Sequence, residues 1–141
     1  MSKQARILDT LFAMSRDIDS GYRQTIVSAI YIRSKLISYG VNEAKSHPFQ
    51  REHAKNDNAI FWHSETKAIH NALSVVGEKG LKGSTIYIAR ARMVPKRKIV
   101  FGLAKPCCGC MDAIRKFGIA RIVYTLDADD PKTKHYGVME I

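Results

Sequence analysis

Apolar residues recur at helical spacing from the first turn of the chain. Ile7, Leu8, Leu11, Phe12 and Ile18 share one face and predict a helix over residues 4–19. Two runs rich in β-branched and aromatic residues follow, "TIVSAIYIR" and "KLISYGV". They predict strands over 25–33 and 35–41 in a tight hairpin. Residues 42–57 are polar and contain a proline, so they predict a loop long enough to be functional. Ile69, Leu73 and Val76 return to the helical period over 63–77, with Gly77 and Gly80 as stop signals.

"STIYIARARMV" predicts a third strand and "PKRK" a turn. "IVFGLA" is then expected to pair back as a short extension. A helix over 107–117 ends at Gly118. "ARIVYTLD" and "HYGVMEI" are two further strands around an "ADDPKTK" turn, whose shortness predicts that they run antiparallel. The order αββαβαββ predicts a three-layer α/β/α sandwich around a mixed five-stranded sheet.

Composition narrows the class. A chain of 141 residues, 45% hydrophobic and 26% charged, fits one soluble domain spanning 1–141 with a core that needs no staples. No apolar run is long enough to span a membrane, and the amphipathic start lacks the pattern of a signal peptide. The expected location is a reducing cytoplasm. There, clustered cysteines are metal ligands more often than disulfides. The net charge of +10 suits an anionic partner, a nucleotide or a nucleic acid, and suits equally a basic protein that binds nothing through its charge.

The chain's three cysteines lie together in "PCCGC". Cys107 and Cys110 have the three-residue spacing that puts two side chains on one helical face, whereas Cys108 is turned away. Pro106 suits the helix start, whose dipole favours thiolate. Two thiolates need a further ligand, and His63 at the start of the other helix is well placed. Three protein ligands leave a fourth position for water, the mark of a catalytic zinc. Glu65, two residues beyond His63, can reach that water and carry its proton.

His63-Ser64-Glu65 followed by Pro106-Cys107-Cys108-Gly109-Cys110 matches H-x-E…P-C-x-x-C. The chain therefore resembles the zinc-dependent cytidine and deoxycytidylate deaminase-like superfamily, over residues 25–127. The resemblance implies zinc held by His63, Cys107 and Cys110, a water activated on it, and Glu65 as the proton shuttle. It also points to substrate contacts from Asn42, Ser64 and Pro106, although Asn42 equally suits an ordinary turn. Lys67 stands where deoxycytidylate deaminases commonly carry asparagine.

The expected activity is hydrolytic deamination of a cytosine nucleoside or nucleotide to the uracil form. The alternatives are a deaminase of bases in single-stranded nucleic acid or transfer RNA, or a non-catalytic zinc-stabilised nucleic-acid-binding module. The resemblance implies a homo-oligomer, and the lack of a long apolar run predicts no membrane partner. Arg90, Arg92, Lys96, Arg97 and Lys98 gather in the segment before the cysteines. They suit a phosphate, polynucleotide or subunit contact, or a solvated hairpin.

Overall fold

The computed structural model describes residues 1–17, 25–43, 47–53 and 62–141. The helices are α1 (Lys3–Asp17), α2 (Pro48–His53), α3 (Ser64–Leu81) and α4 (Cys108–Lys116). The strands are β1 (Thr25–Ile32), β2 (Lys35–Val41), β3 (Thr85–Val94), β4 (Lys98–Gly102), β5 (Arg121–Thr125) and β6 (Tyr136–Glu140). The expected end of the first helix at 18–19, and parts of the predicted loop at 44–46 and 54–57, lie outside the described residues.

The strands form one mixed sheet in the order β2-β1-β3-β5-β6, with β4 paired to β3 alone. The five strands on that path are those the hydrophobic pattern predicts, and the expected short extension is β4, a sixth. Among the described strands only β3 and β5 run parallel; β5 and β6 are antiparallel, as the short turn between them predicts. The far edge of β3 is shared. Its first half pairs with β5 and its second half with β4. Buried Thr125 bridges the fork: its hydroxyl donates to Gly102 O (2.6 Å) and accepts from Arg90 N (3.2 Å).

Helices cover both faces. Leu8, Leu11 and Phe12 of α1 pack on one face against Val27, Ala29, Tyr87 and Phe101. Ala68, Ile69 and Ala72 of α3 and Ala113 and Ile114 of α4 pack on the other against Ile30, Ile86, Ile88 and Ile122. Three layers result, as the order of elements predicts.

Two stretches differ from the sequence reading. The first is the predicted loop, which contains the short helix α2. Pro48 begins it, where a missing N–H costs nothing, and Phe49 and Gln50 are buried beneath it. The second is α3, which runs past its predicted end to Leu81. Gly77, at φ 70° and ψ 176°, breaks the helical geometry without ending the segment. By contrast, Gly118 ends α4 as predicted. At φ 74° it allows Gly118 N to donate to Arg115 O (3.1 Å) and Ile119 N to Ile114 O (3.2 Å), with Ile119 and Ile114 both in the core.

The topology decides where a site can form. α3 precedes β3 and α4 precedes β5, and these two strands are parallel. Both helices therefore begin at the same end of the sheet, the carboxyl end of β3 and β5, where open α/β sheets bind ligands.

Candidate active site

His63 is the N-cap of α3 and Cys107 the N-cap of α4, both with extended backbones. Cys110 lies in the first turn of α4, fully buried. His63 Nδ1 is 3.3 Å from Cys110 Sγ and 3.6 Å from Cys107 Sγ. The three donor atoms lie within 4.8 Å of one another and form a possible metal-binding group. Zinc bonds of about 2.3 Å to sulfur and 2.0 Å to nitrogen, at tetrahedral angles, require a sulfur–nitrogen separation of about 3.6 Å. The observed separations fit such a tetrahedron, so these residues suit zinc. Cys108 is exposed and its position on α4 is not part of the group.

Without metal, the donors share protons unequally. The Cys107 thiol is pulled down to about 4, first by a hydrogen bond from the Cys110 thiol and then by His63. Cys110 is pushed well above its ordinary value by donating to Cys107 and by burial. The His63 imidazole is raised, mainly by its hydrogen bond to Cys107, with burial opposing and the charge of Glu65 assisting.

Glu65 is buried at 6% exposure beside this group, and its carboxylate also accepts from the Cys110 thiol. Ser64 lies wholly inside. Its hydroxyl donates to Glu65 Oε1 (2.8 Å), and its oxygen is 2.7 Å from Ser28 Oγ of β1. Both ends of the Ser64 hydroxyl are thus engaged within the protein. Pro106 is buried immediately before Cys107. Asn42 follows β2 and is 8% exposed. Its Oδ1 accepts from Ile26 N (2.9 Å) and its N–H donates to Ile26 O (3.2 Å), which closes the end of the β1–β2 pair. Glu43 N donates to Trp62 O (2.9 Å), so this strand end abuts the residue preceding His63.

An aromatic cluster borders the start of α3. His47 stacks on Trp62 with ring centroids 3.8 Å apart and planes 16° from parallel, and His70 meets both rings edge-on. Lys67 Nζ lies 5.0 Å from the Trp62 ring centroid and pairs with the Glu43 carboxylate. Burial pulls the Lys67 amine below its ordinary value.

Sequence reading missed two supports. Gln50 of α2 is fully buried; its Oε1 accepts from His63 N (3.2 Å) and from the Thr66 hydroxyl, and so caps α3. Ser28 backs Ser64 from the sheet. Neither carries a local signal, because each acts on a residue distant in sequence. The basic pair before the cysteines also turns inward. Arg90 Nη1 donates to Leu103 O (3.1 Å), and Arg92 Nη2 donates to Ala128 O (2.6 Å). Arg92 Nε is 3.3 Å from Asp127 Oδ1, and that carboxylate accepts from Leu103 N (2.8 Å). These contacts fasten the segment that leads to Pro106 and Cys107.

The crystal structure of dCMP deaminase from the cyanophage S-TIM5, in its apo form, has a similar fold. The TM-score is 0.53 at 13% identity, over 92% of this chain and 88% of that one. A search of curated protein sequences found no significant match. The family model describing the cytidine and deoxycytidylate deaminase zinc-binding region matches residues 1–126, a span that runs from α1 through β5 and takes in both halves of the donor group. With that match over most of its length and a donor triangle of zinc's own dimensions, the chain belongs to the cytidine and deoxycytidylate deaminase family.

Proposed function

We propose that this protein is a zinc-dependent hydrolytic deaminase that converts a cytosine nucleoside or nucleotide, cytidine-like or dCMP-like, to its uracil form. The observation that carries the reading is a buried carboxylate, Glu65, hydrogen-bonded beside a donor triangle of zinc-binding size. His63, Cys107 and Cys110 hold the zinc, which when bound lowers the pKa of a water molecule to about 7.

Glu65 does the proton work. It accepts a proton from water at a carboxylate oxygen and delivers it to the ring nitrogen, then takes the remaining proton from the oxygen newly bonded to carbon and passes it to the departing amine. Water supplies the new carbonyl oxygen, the carbon–amine bond breaks, ammonia leaves, and Glu65 ends ionised as it began. The Ser64 hydroxyl fixes one carboxylate oxygen so that the other is presented for transfer. Asn42, just after β2, and Pro106, immediately before Cys107, contact the substrate on this reading. The protein works as a single domain over 1–141, as a homo-oligomer in a reducing cytoplasm that keeps its thiols available. Among the described residues no helix is long and apolar enough to cross a membrane.

A second reading, deamination of a base within single-stranded nucleic acid, draws support from the net charge of +10. Ammonia release by the zinc-loaded protein separates the two. Cytidine, deoxycytidine, their 5′-monophosphates and a cytosine-containing oligonucleotide are the substrates to compare. Turnover of a monomer supports the first reading and turnover of the oligonucleotide alone supports the second. No turnover of any, with zinc bound, overturns both.

A further inference from the structure

A second cleft, of about 580 Å³, opens between the start of α1 and the starts of β3 and β5. It lies at the opposite end of β3 and β5 from the donor triangle and on the α1 face of the sheet. Its size suits a small organic ligand. Lys3, Arg33, Thr85, Tyr87, Arg121 and Glu140 line it.

Tyr87 is the informative residue. Its ring packs among the core residues beneath α1 at 5% exposure, and it also lines the cleft, where its hydroxyl is engaged by no side chain or carbonyl among the described residues. Thr85 is two residues away on the same face of β3, and it pairs in register with Arg121 of β5. The Thr85 hydroxyl likewise has no partner among the described residues.

Charge indicates what these donors await. Lys3, Arg33 and Arg121 bring three cations against the single carboxylate of Glu140. Glu140 Oε1 accepts from Arg121 Nε (2.6 Å), which orients the guanidinium and leaves its terminal nitrogens as donors. Lys3 Nζ is tethered to the β1–β2 turn through Arg33 O (3.3 Å) and Ser34 Oγ (2.8 Å), so its charge stays at the rim. The Arg33 side chain makes no ion pair or hydrogen bond among the described residues. Lys3 also opens a fifteen-residue helix whose dipole adds positive potential. Arg121's charge favours the ionised form of the Tyr87 hydroxyl but burial outweighs it, so the hydroxyl keeps its proton as a donor.

Hydroxyl and guanidinium donors around a net positive cleft match a group that is dianionic and accepts hydrogen bonds on several oxygens. We propose that this cleft binds a phosphate group, through the Tyr87 and Thr85 hydroxyls and the side chains of Arg121, Arg33 and Lys3. The site is separate from the zinc chemistry and does not depend on it.

Isothermal titration of the zinc-loaded protein with inorganic phosphate and with ribose 5-phosphate, at matched ionic strength, tests the site. Amide shifts in ¹⁵N spectra locate the binding. The expected result is saturable binding, with shifts at Lys3, Thr85 and Arg121. Tyr87→Phe and the exposed Arg33→Gln should each weaken binding by about tenfold, with unliganded melting temperatures unchanged. Tighter binding of ribose 5-phosphate identifies a carried phosphate ester as the ligand, and equal affinity identifies the free anion. Absence of saturation up to about 10 mM overturns the proposal, as do unchanged affinity in both variants or shifts confined to the surroundings of His63.

Discussion

The Ser64 hydroxyl donates to Glu65 Oε1 at 2.8 Å, and its oxygen lies 2.7 Å from Ser28 Oγ. An ionised carboxylate can only accept, so the direction of the chain is fixed: Ser28 donates to Ser64, and Ser64 to Glu65. Each link is buried, where such bonds are strong and a lost partner is costly. Ser64→Ala is therefore expected to lower kcat by about tenfold while zinc content stays stoichiometric. Ser28→Ala acts through the same hydroxyl, so the double variant should be little worse than Ser64→Ala alone. Additive losses would mean that Ser28 influences Glu65 by another route.

Glu65→Gln keeps the shape and the hydrogen bond from Ser64 but cannot cycle a proton. A drop in kcat of about 10³-fold is expected, within the range for removing a general acid–base. Metal analysis of the same preparation should return the wild-type zinc content. Loss of zinc would assign Glu65 to holding the metal instead.

The cysteines should separate cleanly. Cys107→Ser and Cys110→Ser each remove a donor from the triangle, and both are expected to lose bound zinc on dialysis against a mild chelator. Cys108 is exposed on the same short helix, and Cys108→Ser is expected to keep zinc and activity. Elemental analysis of the three variants, purified side by side, checks this.

Zinc affinity should depend on pH in a definite direction. The raised Cys110 thiol is protonated at neutral pH in the metal-free protein, whereas Cys107, held near 4, is already thiolate. Zinc requires both as thiolates and His63 neutral, so uptake at neutral pH expels the Cys110 proton. Affinity is then expected to fall about tenfold for each unit of acidification. The slope steepens once His63 is also protonated, which its raised value brings on at a higher pH than for a free imidazole. Cys107 adds no proton until the pH approaches 4. Competition against a chromophoric chelator across pH 6 to 8, roughly, measures the slope. A flat profile would show that Cys110 is not protonated before the metal arrives.

What could be read in the sequence follows from how local each signal is. The pairing of Cys107 with Cys110 and of His63 with Glu65 rests on spacings of two or three residues that a helix start fixes whatever surrounds it. The strands are legible because their burial follows the β-branched pattern, and Gly118 because a helix end needs a left-handed residue. Helix α2 was not legible, because six residues are too few to show a period and, among its described side chains, only Phe49 and Gln50 are buried. Arg90 and Arg92 read the same whether they meet solvent, phosphate or a carbonyl. Only the fork at β3 reveals that they grip Leu103 and Ala128. Ser64 carried a similar ambiguity: its place in the motif points toward substrate, and its contacts point toward Glu65 and Ser28.

Gly40 is the point at which the edge of the sheet touches the helix that begins with the motif. A Cβ there would lie 2.7 Å from both Ser64 O and Ala68 N and 2.9 Å from Lys67 Cβ. Two of these are backbone atoms in the first turns of α3, which cannot rotate aside as a flexible side chain would. Gly40→Ala must therefore move β2 or the turn that carries Ser64 and Glu65. The structural cost is expected to be about 1–3 kcal/mol, the usual range for overpacking, and a thermal melt should register it. If the helix start moves, kcat should fall even below the melting transition and zinc affinity should weaken with it, because His63 caps the same helix. If β2 moves, the melting temperature should drop while zinc content holds, because β2 carries none of the donor atoms. A variant unchanged in both would show that α3 and β2 are not in this tight contact.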